Sequence, residues 1–226
     1  WREWDAGILA AEAKIAAASR RVLRELLLAI RLRLREVAKG PWADTTSKAG
    51  AASIRKAIAT ESEIARLLSI NAEEWGVLMS DTVSPHIETM LLESAAGTHA
   101  EIGGSGMILS ATDPAVVRYM ATKEMILSDI PQTVIEEVQR AIVKMLATDP
   151  DNYTSMREAI YNTLAQSESY LGKSIKGLGT RASLIARTET TGAANYGRQQ
   201  QMVADGINSN IWMAWPGARP HHKELS

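Results

Sequence analysis

Apolar residues recur with helical spacing through the first part of the chain. At about 100° per residue they fall on one stripe, as in an amphipathic helix that faces a core. The pattern begins near Asp5 and stops at Lys39, directly before Gly40 and Pro41, a pair that commonly ends helices. We therefore predict one long helix over residues 5–39. The stripe consists of Leu23, Leu26, Leu27, Ile30, Leu34 and Val37.

A second surface of this helix carries arginines and two leucines. Leu28 and Leu32 lie outside the main apolar stripe, among or beyond the arginines. A helix with two apolar surfaces is typical of an element that packs against a partner as well as its own core. The arginines fit a solvated face, an acidic partner surface or packaged DNA. The candidate partner-docking face comprises Leu28, Leu32, Arg20, Arg24, Arg31 and Arg35.

Two further helical runs and a change of character follow. Helical spacing continues over residues 47–74 and 75–94, with an interruption expected at Ser84-Pro85. Residues 95–112 contain four glycines and no helical period, which favours a loop or a short hairpin. We therefore divide the chain into an N-terminal helical docking region over 1–96, a glycine-rich connection over 97–112 and a C-terminal domain over 113–226.

The C-terminal half is predicted to contain helices separated by turns. Ser128 or Asp129 is suited to cap a helix with Pro131 in its first turn, and a short helix is expected over residues 155–167. The glycines between residues 172 and 179 then indicate a loop.

The last helix begins at Thr180 as its cap and runs to Asp205, before Gly206. Residues 207–215 alternate in polarity, which favours a short strand. The chain ends soon afterwards, and we expect it to be part of a longer protein. The fold class is mainly α, with long N-terminal helices and a helical C-terminal domain.

The composition of the chain limits the kinds of functional site that it can contain. The 226 residues carry a formal net charge of -1, so nucleic-acid contact requires a local basic patch. The absence of cysteine excludes disulfides, thiolate nucleophiles and thiolate metal sites. The sequence contains no run of about 18 apolar residues, so no membrane-spanning helix is predicted. Gly103-Gly104-Ser105-Gly106 lacks the Lys-Ser/Thr of a phosphate loop, and we expect no cofactor.

Histidines give no clear metal site. His86 and His99 are isolated in the sequence and are expected at the surface. His221 and His222 are adjacent, with no third ligand indicated, so solvated side chains are favoured.

One carboxylate lies on the apolar side of the last helix. Helical projection places Glu189 on the same side as Ala182, Ala193 and Tyr196. A buried carboxylate needs a partner, and Arg219 or His222 is the expected one. A structural ion pair is the favoured interpretation. A catalytic or ligand-binding glutamate is the alternative.

The same helix resembles a known family. Ile185-Ala186-Arg187-Thr188-Glu189-Thr190 and Ala194-Asn195-Tyr196-Gly197 are similar to the signature of the Mu F-like phage head morphogenesis family. That family continues with a glycine, a tryptophan and Arg-x-x-His-x-x-Leu, and the same order occurs after residue 205. The resemblance covers the C-terminal half. The motif positions are Arg187, Thr188, Glu189, Thr190, Asn195, Gly197, Trp215, Arg219 and His222.

The chain also departs from the family pattern. Many relatives carry cysteines near the closing motif, and this chain has none, so no metal site is carried over. The family motif also continues past the Arg-x-x-His segment, where this chain stops.

The resemblance implies a non-enzymatic minor structural protein of a tailed-phage virion, located inside the head at the portal vertex and in the host cytoplasm during assembly. Its implied partner is the portal ring, with capsid or scaffold proteins and packaged DNA as further candidates. Its implied role is head morphogenesis and DNA packaging or ejection. The alternatives are a toxin or effector domain resembling an ADP-ribosyltransferase, and a DNA-binding module that uses the Arg20–Arg35 stripe.

Overall fold

The computed structural model describes residues 2–39, 66, 68–148 and 156–207. Within these ranges the chain forms four helices and no strand, which confirms the prediction of a mainly α fold. The helices are α1 (Arg2–Lys39), α2 (Ala72–Ile102), α3 (Pro114–Thr148) and α4 (Met156–Ala204). The helical run predicted over 47–74 lies outside the described residues except near its end, and so does the strand predicted after Ile207.

Helices α1, α2 and α4 pack on one another, while α3 packs mainly on α2 and touches α4 at few points. The described side chains of the α1 apolar stripe face this core, as the periodicity predicts; they are Leu23, Leu26, Leu27 and Ile30. Helix α4 contributes mostly small side chains, which allow α1 and α2 to approach it closely. The fully buried core includes Ile15, Leu23, Leu26, Ile30, Met79, Ile87, Leu91, Leu127, Ala186 and Ala193.

This core crosses the predicted domain boundary. Helix α1 from the first hundred residues makes its most extensive contact with α4 from the last hundred. Buried residues of α1, α2, α3 and α4 belong to one cluster. The described parts of the predicted docking region and C-terminal domain therefore share a core, a relation that periodicity alone does not reveal.

Local signals set several helix ends. The side chain of Asn71 caps α2 by accepting a hydrogen bond from the backbone N–H of Glu73 at 3.1 Å. Helix α2 ends at Gly103, whose φ of 62° lies in the left-handed region that glycine adopts without strain. Asp113 caps α3 through the N–H of Ala115 at 2.8 Å. Helix α4 ends in a turn at Gly206, as predicted, with φ 81°.

The breaks predicted at prolines are wrong. Pro85 lies inside α2 and Pro131 lies inside α3, and both helices continue through them. A proline in a helix interior costs about 3 kcal/mol. The turns around both prolines bury residues on the side that faces the core, including Val83, Ile87, Leu127 and Val134. This packing on both sides of each proline outweighs the local cost.

The loops predicted at glycines also need correction. Helix α2 continues through Gly97 to Ile102, so the connection begins at Gly103 rather than at residue 97. Helix α4 is continuous from Met156, so Thr180 lies in its interior and is not its cap. A single helical glycine costs only about 1 kcal/mol, which neighbouring helical residues offset.

Candidate functional site

A buried ion pair occupies the centre of the family-like motif. The Oε2 atom of Glu189 on α4 lies 2.8 Å from the Nζ atom of Lys123 on α3. The two side chains are only 8% and 16% exposed. Glu189 is therefore buried, as its place on the apolar side predicts, and the charge beside it is Lys123, although its Oε2 atom meets no hydrogen-bond geometry among the described residues. The pair with Arg219 or His222 stays a prediction. The expected partners Arg219 and His222 lie outside the described residues.

Two stacked tyrosines lie beside this ion pair. The rings of Tyr119 and Tyr196 stack with centroids 4.4 Å apart, and the Lys123 Nζ atom lies 5.3 Å from the centroid of Tyr119. The Tyr196 hydroxyl donates a hydrogen bond to the carbonyl of Ala115 at 3.1 Å. Burial, followed by the negative charge of Glu189, raises the pKa of Tyr119 well above its usual value, so this phenol stays neutral.

We call Lys123, Glu189, Tyr119 and Tyr196 the Glu189 junction. It joins α3 to α4 at one of the few places where these helices meet. An exposed second bridge joins the same helices, where the Arg181 guanidinium donates hydrogen bonds of 2.8 and 3.0 Å to the Glu137 carboxylate. The hydrogen bond from Arg181 holds the pKa of Glu137 below its usual value.

The glycines of this part of α4 lie against other helices. A Cβ atom on Gly197 would collide with the carbonyl group of Leu91 on α2. A Cβ atom on Gly192 would lie 3.2 Å from the hydroxyl of Tyr119. Gly197 is therefore required by a backbone contact, whereas Gly192 faces a side-chain atom.

The remaining motif residues are dispersed. Thr190 is buried, whereas Thr188 and Asn195 are exposed. Arg187 is exposed as well, and its Nε atom lies 3.7 Å from Glu12 on α1. Trp215, Arg219 and His222 lie outside the described residues. The described motif thus provides interhelical contacts through Arg187, Glu189 and Gly197, and Glu189 is its single carboxylate.

A second polar cluster, which sequence reasoning missed, closes the end of α4. The Asp205 carboxylate accepts hydrogen bonds from the Gly106 N–H at 2.8 Å and from Gln201 at 2.9 Å, and it lies 3.0 Å from His99 Nδ1. Gln201 also accepts a hydrogen bond from the Leu109 N–H at 2.9 Å. We call His99, Gln201 and Asp205 the loop anchor.

The loop anchor fixes the connection between α2 and α3. The Asp205 side chain is 1% exposed. Hydrogen bonds from Gln201, His99 and Gly106 hold its pKa below the usual range. The expectation of an isolated surface His99 is wrong, because its partner is 106 residues away in sequence and is brought close only by the packing of α2 on α4.

The candidate docking face of α1 is largely accessible. Leu28 and Leu32 are 45% and 60% exposed, and Arg20 and Arg24 are exposed beside them. Arg31 is partly buried and has interactions of its own. The side chain of Arg35 lies outside the described residues.

An acidic groove, also missed from the sequence, lies between α2 and α3. It encloses about 470 Å³. Its apolar lining includes Pro85, Val117 and Met120, and its carboxylates are those of Asp81, Glu88 and Glu124. These residues approach one another only because α3 packs on α2, which the sequence pattern does not specify.

The described ranges contain neither a metal-binding cluster nor a membrane-spanning helix. No group of three or more histidine, aspartate or glutamate side chains there is placed to hold a metal ion. None of the described helices combines the length and apolar character needed to cross a bilayer. Comparison with models of protein families, with curated proteins and with solved structures finds no match.

Proposed function

We propose that the chain is a minor structural protein of a tailed-phage head, bound to the portal ring inside the capsid. There it assists head morphogenesis and DNA packaging or ejection. The resemblance of residues 185–197 to the family signature supports this proposal, and the helical fold is compatible with it.

The observation that carries the proposal is that the family-like motif of α4 contacts neighbouring helices, whereas a separate surface of α1 is exposed to solvent. Glu189 and Gly197 of the motif contact α3 and α2, where they hold the helices together. A carboxylate paired at 2.8 Å and nearly excluded from solvent is placed for packing rather than for contact with a substrate. Leu28 and Leu32 of α1 remain accessible to another molecule.

The α1 face has the composition of a helix that binds in a groove. Its two leucines are four residues apart, so they lie one turn from each other on the same side of the helix. Arg20 and Arg24 continue this surface and favour an acidic partner. Apolar anchors flanked by charges are typical of the centre and rim of protein interfaces.

Co-purification of the chain with the portal protein encoded beside it tests the proposal. We expect co-elution at physiological and at high salt, since the leucines contribute an apolar contact that salt does not screen. The Leu28→Ser, Leu32→Ser double variant should lose the complex. The matched control is Leu9→Ser, which removes another leucine of α1 that is 65% exposed and should leave binding intact.

Contact with packaged DNA is the second candidate, favoured by the exposed arginines of the same face. Binding of this kind weakens steeply as salt rises because counterions are released from DNA. Arg20→Gln, Arg24→Gln should abolish such binding, whereas Leu28→Ser, Leu32→Ser should preserve it. Salt-sensitive DNA binding that only the arginine variant loses, with no co-elution of the unmodified chain and the portal protein, would replace the portal contact by a DNA contact.

A further inference from the structure

Two surfaces of this molecule are complementary to each other. The α1 docking face carries two exposed leucines and the exposed arginines 20 and 24. The groove between α2 and α3 carries an apolar lining and three carboxylates. Both belong to one chain whose net charge is only -1, so the charges are separated on the surface rather than absent.

The groove is suited to receive a helix. Its apolar lining provides contact area for leucine side chains, and Val117 is 53% exposed there. Asp81 and Glu124 are exposed and Glu88 is partly buried, so all three carboxylates lie close to the apolar lining. A groove of this composition selects an amphipathic helix with basic flanks.

The α1 face supplies such a helix. Leu28 and Leu32 are the apolar anchors, and Arg24 and Arg20 lie about one and two turns before Leu28 on the neighbouring side of the helix. The stripe that α1 buries in its own core points the other way, so the docking face is available without unfolding.

We propose that the α1 docking face of one copy binds in the α2–α3 groove of a second copy. The two leucines contact the apolar lining, and the arginines pair with the carboxylates. This inference rests on the proposed function in taking the same α1 surface as a docking face, and it names a second copy of the chain as an occupant.

The symmetry of the contact follows from its two unlike surfaces. A face that binds a different patch makes a heterologous, head-to-tail contact, which propagates into a closed ring or an open chain. In an open assembly the terminal copy keeps an uncovered α1 face. A portal protein and a further copy would compete for that face.

Sedimentation velocity of charge-reversal variants tests the contact. The unmodified chain should form larger species as its concentration rises. Arg20→Glu, Arg24→Glu should be monomeric, and so should Asp81→Lys, Glu124→Lys. An equimolar mixture of the two variants should associate again, because each then meets a surface of opposite charge. The proposal would be overturned if the unmodified chain stayed monomeric at all concentrations. It would also be overturned if either charge-reversal variant alone associated as strongly as an associating unmodified chain.

A matched control separates the groove from net charge. Glu93 and Asp129 are exposed acids of α2 and α3 that do not line the groove. Glu93→Lys, Asp129→Lys changes the net charge as much as the groove variant does, and it should associate like the unmodified chain. If this control were monomeric, overall charge would explain the loss of self-association in the groove variant. That result would contradict a specific contact.

Cysteine cross-linking locates the contact directly. The chain contains no cysteine, so introduced thiols react only with each other. Leu28→Cys combined with Ala121→Cys, a groove residue, should give a ladder of disulfide-linked oligomers under mild oxidation. Leu9→Cys with Ala121→Cys should give none. No ladder in the first, or equal ladders in both, would contradict the proposed placement of α1.

The portal assay separates this inference from the proposed function. The Asp81→Lys, Glu124→Lys variant keeps its α1 face, so it should be monomeric and still co-purify with the portal protein. An unmodified chain that binds the portal without self-association would overturn the inference alone. One that self-associates without binding the portal would overturn the proposed function alone.

Discussion

Two carboxylate side chains that are nearly excluded from solvent, Glu189 on α4 and Asp205 directly after it, have different surroundings. In the loop anchor, Asp205 interacts with His99, Gln201 and a backbone N–H. In the Glu189 junction, the described counter-charge is Lys123 alone, and both Glu189 Oε2 and the Tyr119 hydroxyl are buried without a hydrogen-bond partner among the described residues. A carboxylate with several donors tolerates the loss of one, whereas a carboxylate with a single counter-charge does not.

Removal of the counter-charge at the Glu189 junction should have the largest effect. Lys123→Met leaves Glu189 buried and unpaired, which should cost about 3 kcal/mol of unfolding free energy and lower Tm by roughly 6–12 °C. Lys123→Met with Glu189→Leu should recover most of this loss, because no charge is then left buried. Chemical and thermal denaturation measure both.

The exposed bridge between the same two helices provides the control for that prediction. Arg181→Met removes a pair whose side chains are 33% and 49% exposed, so it should cost no more than about 1 kcal/mol. Equal losses for Lys123→Met and Arg181→Met would show that burial does not distinguish the two pairs.

A methyl group added at Gly197, where α4 contacts α2, should cause the next largest loss of stability. Gly197→Ala forces a methyl group against the backbone of Leu91, which should cost about 2 kcal/mol through displacement of α2. Gly192→Ala meets only side-chain atoms, the Tyr119 hydroxyl at 3.2 Å and the Lys123 Nζ atom at 3.9 Å, and it gains helix propensity, so its net effect should stay within about 1 kcal/mol. A tolerated Gly197→Ala would contradict the close contact between α4 and α2.

At the loop anchor we expect a local effect. Asp205→Asn should speed hydrogen exchange of the Gly106 amide, because a weaker acceptor replaces the carboxylate. The lowered pKa of Asp205 stabilises the fold above the unfolded value of about 3.9, and this contribution is lost as pH falls through the folded pKa. The exchange difference between the two proteins should therefore shrink at acidic pH. A difference that persists there would exclude the ionised carboxylate as its cause.

The smallest effect should come from the unpartnered hydroxyl. Tyr119→Phe removes a buried group that makes no hydrogen bond among the described residues, so stability should be unchanged or slightly higher. Tyr196→Phe removes the hydrogen bond to Ala115 and should cost about 1 kcal/mol. Denaturation midpoints compare the two, and a larger loss for Tyr119→Phe would reveal a partner for its hydroxyl.

The sequence predicts features that depend on one helix at a time. The stripe through Leu23 and Ile30 and the placement of Glu189 on the inner side of α4 both follow from helical periodicity. The continuity of α2 through Pro85 does not, since packing against other helices decides it.

Contacts between segments that are distant in the sequence cannot be predicted from helical periodicity. Lys123 was not identified as the partner of Glu189, because no periodicity relates α3 to α4. His99 and Asp205 are 106 residues apart, and the groove carboxylates lie on separate helices. The Gly103–Gly106 run marked a connection between helices but gave no sign that Asp205 holds it.

The most direct test of a docking role for α1 is the labelling rate of a single cysteine with and without the portal protein. Leu28→Cys and Leu9→Cys each place one thiol on an exposed position of α1. At a concentration where the chain is monomeric, saturating portal protein should strongly slow labelling at position 28 and leave position 9 unchanged. Equal labelling at position 28 with and without the portal protein would contradict the account.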